Sequence, residues 1–568
     1  MNGPQNELDQ KNLLLAIVLS AGVLLVWQAI SPPIPVESMP PSPNQVSPQG
    51  QPTAAAAPSA ASLSAQPSSP AAVMAPRAVL AQLERADLNR LDLVNIDGQI
   101  GSWTLTETQY LQATDDGGTE PFAFVREADG QPKSSLFMPP HLNLSLSGQA
   151  ARGVYALAYS KGQEASVVWT DPNTNVRVTR TYKLNGDRYN VAMTIKLENL
   201  GQSDVPYDLV ATFPALQDDS QSEGSMFMPP IYVYEFLCQR GEEFERLTAA
   251  DIKDNAEDKE PNAFEDDIQW GGMDNRYFMT ALIAAPKTIE KCTATAEVDP
   301  SAPGFTRLNT RLDLVGGVIP PGKSIERKLT VYGGPKKLSA LHAQEINLGE
   351  SIDFGIFSVI CVPMLWLMRQ FFQFMPNWGI AIILLTVLVK ILTLPLTVKQ
   401  YRSMAGMKKI QPKMKVLQTK YADDKVRMQQ ELLKLYREHK VNPLSGCLPM
   451  LMMMPIYFAL YRTIFSAVEL YQADFFGWIT DLSQQDPYYI TPVLLGVLML
   501  IQMRLNPSAG DQMQQKIMMY VMPVMFTGMM LFLPSGLVLY ILVNTVLGIA
   551  QQSWIYSKTD MNPVPAKA

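Results

Sequence analysis

Residues 379–401 read GIAIILLTVLVKILTLPLTVKQY, and one letter of that run decides how the rest of the chain is read. The stretch is long and apolar enough to cross a bilayer core as a helix, yet it contains Lys390. An ionisable side chain at membrane depth is costly and normally faces a polar interior, so it is a functional candidate by default. Lys390 lies about six residues, roughly 9 Å at helical rise, before the expected cytoplasmic end of the span near residue 396, so snorkelling to the interface is a second reading. Thr386, one helical turn earlier, falls on the same face.

Working outward, 568 residues are too many for one compact core. The mean hydropathy is near zero, but that average hides several charge-poor apolar runs. They fall at roughly 12–30, 377–396, 446–466, 488–506, 515–532 and 534–556, the last two parted only by LPSG. Six transmembrane helices are expected, five of them in the last third. Residues 397–442 hold about a dozen basic residues against about four acidic ones, which places this segment in the cytoplasm. The loop QADFFGWITDLSQQDPYY has three aspartates and no basic residue, as suits the opposite side. An even number of spans then puts both termini in the cytoplasm and the large segment outside. The formal net charge is −7, and with the basic loop set aside the remainder is decidedly acidic, which argues against nucleic acid as a partner.

These runs divide the chain. Residues 1–31 read as an N-terminal transmembrane anchor rather than a cleaved signal, because the small-x-small site is poor. Residues 32–76 are a Pro/Ala/Ser-rich flexible linker. Residues 77–337 turn to period-two alternation. VRVTRTYKLNGDRYNVAMTIKLENL is two strands around Asn185-Gly186, and further strands are expected at 93–105, 154–160, 166–170, 206–213, 277–285 and 324–332, an all-β sandwich. The acidic insertion at 242–267 is expected to be a solvated loop or short helices. Residues 338–376, with Pro363, Arg369 and several aromatics, suit a helix lying in the outer interface; a seventh crossing is the alternative. Then come transmembrane helix 2 at 377–396, the basic segment at 397–442, helices 3 to 6 at 443–556, and a short cytoplasmic tail at 557–568.

Inside the basic segment, Met407, Ile410, Met414, Leu417 and Tyr421 recur at three- and four-residue steps. Asp423 and Asp424 sit where a second helix begins, so an antiparallel helical hairpin is expected, with Pro412 kinking its first arm. Its charge suits either contact with anionic lipid or docking of ribosomes, targeting factors or nascent chains. Cys238 and Cys292 allow a disulfide without requiring one. The three histidines, His141, His342 and His439, are scattered, so no metal cluster is visible. Walker loop, nucleophile elbow and zincin motif are absent from the sequence, and neither a cofactor nor enzymatic activity is expected.

The segments VNPLSGCLPMLMMMPIYFALYRTIFSAVEL, DPYYITPVLLGV, QQKIMMYVMPVMF and LPSGLVLYILVNTVLGIAQQ resemble those of the YidC family of bacterial inner-membrane protein insertases, related to the mitochondrial oxidase-assembly and thylakoid insertases. The resemblance spans about 355–556, and the anchor with its large outer domain resembles the Gram-negative form. It implies a β-supersandwich outside, a five-helix core with a hydrophilic groove, and insertion of nascent membrane proteins into the lipid bilayer, alone or with the Sec translocon. It places the groove's positive charge, most familiarly an arginine, at Lys390. It also implies groove lining by Thr386 and Tyr540, and contact with the substrate helix through Met454, Tyr457, Met525 and Met529. Methionine suits a surface that must accept many unrelated apolar segments, though helix packing and lipid contact use it too. Two rival functions remain on sequence grounds. One is a secondary transporter with an intramembrane lysine site, against which no internal repeat is seen. The other is an envelope enzyme or sugar binder that the helices merely anchor.

Overall fold

The computed structural model describes residues 76–558, except 86–87, 114–118, 127–134, 185–188, 222–232, 259–261, 345, 422–423, 440–443 and 506–516. The expected anchor, linker, Asn185-Gly186 turn and most of the C-terminal tail lie outside these residues. So do the side chains of Met407, Cys447 and Met450–Met453.

Twenty described strands form one hydrogen-bonded network, from Val79–Arg85 to Ser324–Pro335. Its spine is set by alternation. In Asn190–Asn199 every second side chain is buried, and the strand pairs antiparallel with Val176–Leu184 on one side and Ser324–Pro335 on the other. Val205–Asp218 does the same between Phe305–Ile319 and His141–Leu146. Tyr182, Met193 and Val331 of the first group, with Leu282 of the strand Phe278–Ile283 that pairs beside Ser324–Pro335, meet Leu142, Ala211 and Phe213 of the second around a cavity of only about 20 Å³. Such close filling is what a single core requires. Five of the six strand regions expected from alternation are present with shifted ends; the sixth, 93–105, is divided by a turn into Asn89–Val94 and Ile100–Leu105, which pair with each other.

The acidic insertion carries a short helix, as expected, but flanks it with strands that were not expected. Glu243–Thr248 is a strand and Ala249–Asp258 a helix (α1), with a further strand from Ala263. Among the described residues Glu243–Thr248 pairs with Glu235–Arg240 alone and sits at an edge, where charged side chains reach solvent while the backbone stays paired. Cys238 and Cys292 are buried free thiols, and burial, with Cys238 as a hydrogen-bonding neighbour, holds the Cys292 thiol protonated well past its usual range.

After the short helix Leu338–His342 (α2) come the long ones: Ser358–Phe374 (α3), Trp378–Lys420 (α4), Lys425–Glu438 (α5), Leu444–Ser466 (α6), Ile490–Leu505 (α7), Met522–Met530 (α8) and Ser535–Lys558 (α9). Among the described residues, Gly355–Phe374, Trp378–Val398 and Ser535–Ser557 are long and apolar enough to cross a membrane, and Ile490–Leu505 and Met519–Met530 are shorter apolar helices. In α3 one seam, Cys361, Met364, Leu365 and Met368, is buried, while Val359, Trp366 and Phe374 are exposed. α4 does not stop at the span's end. It starts on an Asn377 side chain that accepts from Ile380 N, and it runs through Pro395 and Pro412 into the basic hairpin as one helix of 43 residues. The hairpin seam is as patterned: Ile410 and Met414 bury against Leu435 of α5, which starts on Asp424 accepting from Arg427 N.

Candidate functional site

Lys390 stands on α4 where that helix packs against α9. Its aliphatic stem is partly buried, and among the described residues no carboxylate or hydrogen-bond partner engages the ammonium. Directly opposite is a position without a side chain. A Cβ added to Gly548 of α9 would lie 3.7 Å from Lys390 Nζ and 3.2 Å from Nε2 of Gln502 on α7. Three helices thus bring an ammonium and an amide over one bare stretch of backbone. Lys390 and Gln502 are both only partly buried.

The other expected site residues divide. Thr386 is buried and its hydroxyl donates to the Ile382 carbonyl 2.7 Å away, so it is engaged with its own helix. Thr393 and Thr397 do likewise, to Val389 and Thr393 oxygens. Tyr540 is buried in α9. Tyr457 of α6 is partly buried and hydrogen-bonds Asn544 of α9. Met529 packs partly against the core, whereas Met454 and Met525 are exposed, Met525 at 67 %. The geometry therefore groups Lys390 with Gln502 and Gly548, and Tyr457 with Asn544. It leaves Met454 and Met525 on an outward apolar surface. Gln502, Asn544 and Gly548 were not singled out from sequence. The two amides were detectable as lone polar letters in apolar runs; the glycine gave no signal.

Comparison with known proteins bears on the same region. Residues 370–562 match the family described as 60Kd inner membrane protein, and residues 86–367 match the YidC periplasmic domain. The membrane protein insertase YidC of Geobacter metallireducens is 34% identical over 552 residues, covering 96% of this chain and 98% of that protein. That of Anaeromyxobacter sp. (strain K) is 34% identical over 570 residues, covering 98% and 99%. The chain belongs to the YidC family of membrane protein insertases. A crystal structure of an active YidC insertase with its first transmembrane domain resolved is 19% identical, covers 82% of this chain and 90% of that one, and superposes with a TM-score of 0.34.

Membership in the YidC family gives the transporter reading no support, and insertion is a non-enzymatic function. The match also spans both regions: an inner-membrane helical part and a β-rich part of the periplasmic-domain type.

Proposed function

We propose that this chain inserts nascent membrane proteins by drawing the polar part of a client from the cytoplasm toward Lys390 while the client's apolar helix passes into lipid. The observation that carries the reading is the Lys390 ammonium, set among apolar helices with no carboxylate of the described chain beside it. A structural lysine in such surroundings would be expected to carry a partner. An unpaired one suits a transient anionic guest. Lysine supplies a point charge without the planar fork of an arginine. Hydrophobic transfer of the client, about 0.8 kcal/mol per buried CH2 group, drives the step, and the membrane potential assists acidic tails crossing outward.

The finer architecture follows the same reading. Six spans comprise the anchor and a five-helix core, with both termini cytoplasmic and a β-supersandwich in the periplasm. α3 lies in the outer interface, its exposed Val359, Trp366 and Phe374 turned to lipid. Thr386 and Tyr540 support the groove wall behind Lys390; Met454, Tyr457, Met525 and Met529 offer the client helix an adaptable apolar surface. The basic hairpin receives ribosomes or targeting factors, and the Sec translocon shares part of the client load.

The test is reconstitution of the purified chain into lipid vesicles without nucleotide or Sec proteins. A short one- or two-span client is added and protease protection scored against empty vesicles. Protection above background is expected, with Lys390→Glu lowering it for acidic-tailed clients at least severalfold. Equal insertion by Lys390→Glu would sink the electrostatic account.

A further inference from the structure

We infer that Gln502 and Gly548 complete a two-donor carboxylate receptor with Lys390, in which Gln502 supplies the second hydrogen bond and Gly548 the room for the guest. This deepens the reading of Lys390 given above and rests on it. The warrant is convergence. A single point above the Gly548 Cα lies 3.2 Å from Gln502 Nε2 and 3.7 Å from Lys390 Nζ, so the two nitrogens lie within about 7 Å of each other. The oxygens of a carboxylate, each accepting at about 2.8 Å, bridge a gap of that size. Neither donor has a partner among the described residues, and they come from different helices, α4 and α7, with α9 as the floor.

The arrangement has a physical reason. A lysine ammonium fixes charge but not direction, because it is a compact cation on a flexible stem. An amide fixed on a second helix adds the direction, so the pair recovers the bidentate grip that one guanidinium would give. Gly548 is required because any side chain there fills the point that both donors approach. A methyl already occupies that point, with the end of the flexible Gln502 side chain 3.2 Å away, so alanine crowds the guest and a branched residue excludes it. The site therefore distinguishes clients with a translocated Asp or Glu from isosteric neutral ones, and the size of residue 548 sets that preference.

The experiment uses the full chain in vesicles and two single-span clients that differ only in Asp/Glu→Asn/Gln changes in the translocated tail. The acidic-over-neutral insertion ratio is read for wild type, Lys390→Gln, Gln502→Leu, Gln502→Asn, Gly548→Ala and Gly548→Val, each normalised to its membrane level. Loss of one hydrogen bond to a charged group predicts that Gln502→Leu lowers the ratio about fivefold. Gln502→Asn, which keeps the amide but shortens its reach, is expected to lower it less, guarding against a folding artefact in the leucine variant. Gly548→Ala is expected to lower the ratio in part, and Gly548→Val to bring it toward that of Lys390→Gln. If Lys390→Gln lowers the ratio while Gln502→Leu leaves it unchanged, or depresses both clients alike, the two-donor receptor is wrong and the electrostatic function stands. If Lys390→Gln itself leaves the ratio unchanged, the function proposed for Lys390 falls as well.

Discussion

At the scale of single residues, burial decides which polar groups still respond to their surroundings. His141 is an example outside the membrane part. Its Nδ1–H donates to Gln99 Oε1 at 2.6 Å, and burial holds its pKa below the ordinary value, with Arg77, Arg152 and Arg307 adding to that effect and Asp97 opposing it. The unfolded chain therefore binds a proton near pH 6.5 that the folded chain refuses. His141 thus contributes stability that is present above about pH 6.5 and is lost as pH falls from there toward the depressed folded value. Thermal unfolding of the full chain in detergent, compared with His141→Gln, is expected to show a steeper loss of Tm between pH 7 and pH 5 for wild type, a window set by the roughly 6.5 reference value. Identical slopes would refute this. The same scale shows what one letter conveys. Lys390 was legible because a charge in an apolar run is anomalous by itself. Gln502, near the end of its run, and Asn544, in the middle of its own, are milder anomalies because an amide carries no charge, and Gly548 acquires meaning only once α4 and α7 are folded against it.

At the scale of elements, periodicity located most of the fold. The seam of the basic hairpin, Ile410, Met414, Leu417 and Leu435, follows from three- and four-residue spacing. The continuity of α4 does not, because a proline argues for an end or a kink, and only packing on α3, α6 and α9 shows the helix carrying on. Edge strand Glu243–Thr248 was hidden by its charges, since alternation signals a strand only when one face is buried. The hairpin yields a test of element-level coupling. Leu435→Asp puts an unpaired charge into a seam of three buried residues, and Asp424→Ala removes a cap worth about 1 kcal/mol. Amide exchange should speed up through both arms for Leu435→Asp and mainly in the first turn of α5 for Asp424→Ala. If the arms exchanged independently, the hairpin would not be a cooperative unit. A second element test concerns α7 and α8, where a Cβ on Gly496 would clash with the Thr527 hydroxyl. Gly496→Val is expected to drive these helices apart and lower the yield of folded chain.

At the scale of the molecule, the β domain grips the helical part at the segment that follows α6. Residues 467–471, just after α6, are gripped from the β side: Gln109 Nε2 donates to the carbonyls of Val468, Glu469 and Tyr471 at 3.2–3.3 Å. Tyr110, Phe122, Tyr277 and Phe278 surround the Tyr471 ring. Arg276 donates to the Phe465 carbonyl at 2.6 Å and lies over that residue's ring. From the helical side, Glu469 is buried and paired with Arg369 of α3, with Arg369 Nε at 2.9 Å, so the same segment ties α3 and α6 to the β domain. Exposed salt bridges contribute little, but removing one partner of a buried pair strands the other, at about 3–5 kcal/mol. The two contacts therefore predict different failures. Gln109→Ala with Arg276→Ala should loosen the junction while leaving each part folded, so limited proteolysis would cut between 337 and 358 and between 467 and 489 sooner, with vesicle insertion of simple clients retained. Glu469→Ala should leave Arg369 unpaired beside α3 and destabilise the helical part itself, lowering both the unfolding temperature and insertion. Were the double alanine variant to lose insertion as completely as Glu469→Ala, the β domain would be a working part of the insertion path, because its grip on 467–471 would then be setting the geometry of α6 and, through Tyr457 and Asn544, of α9.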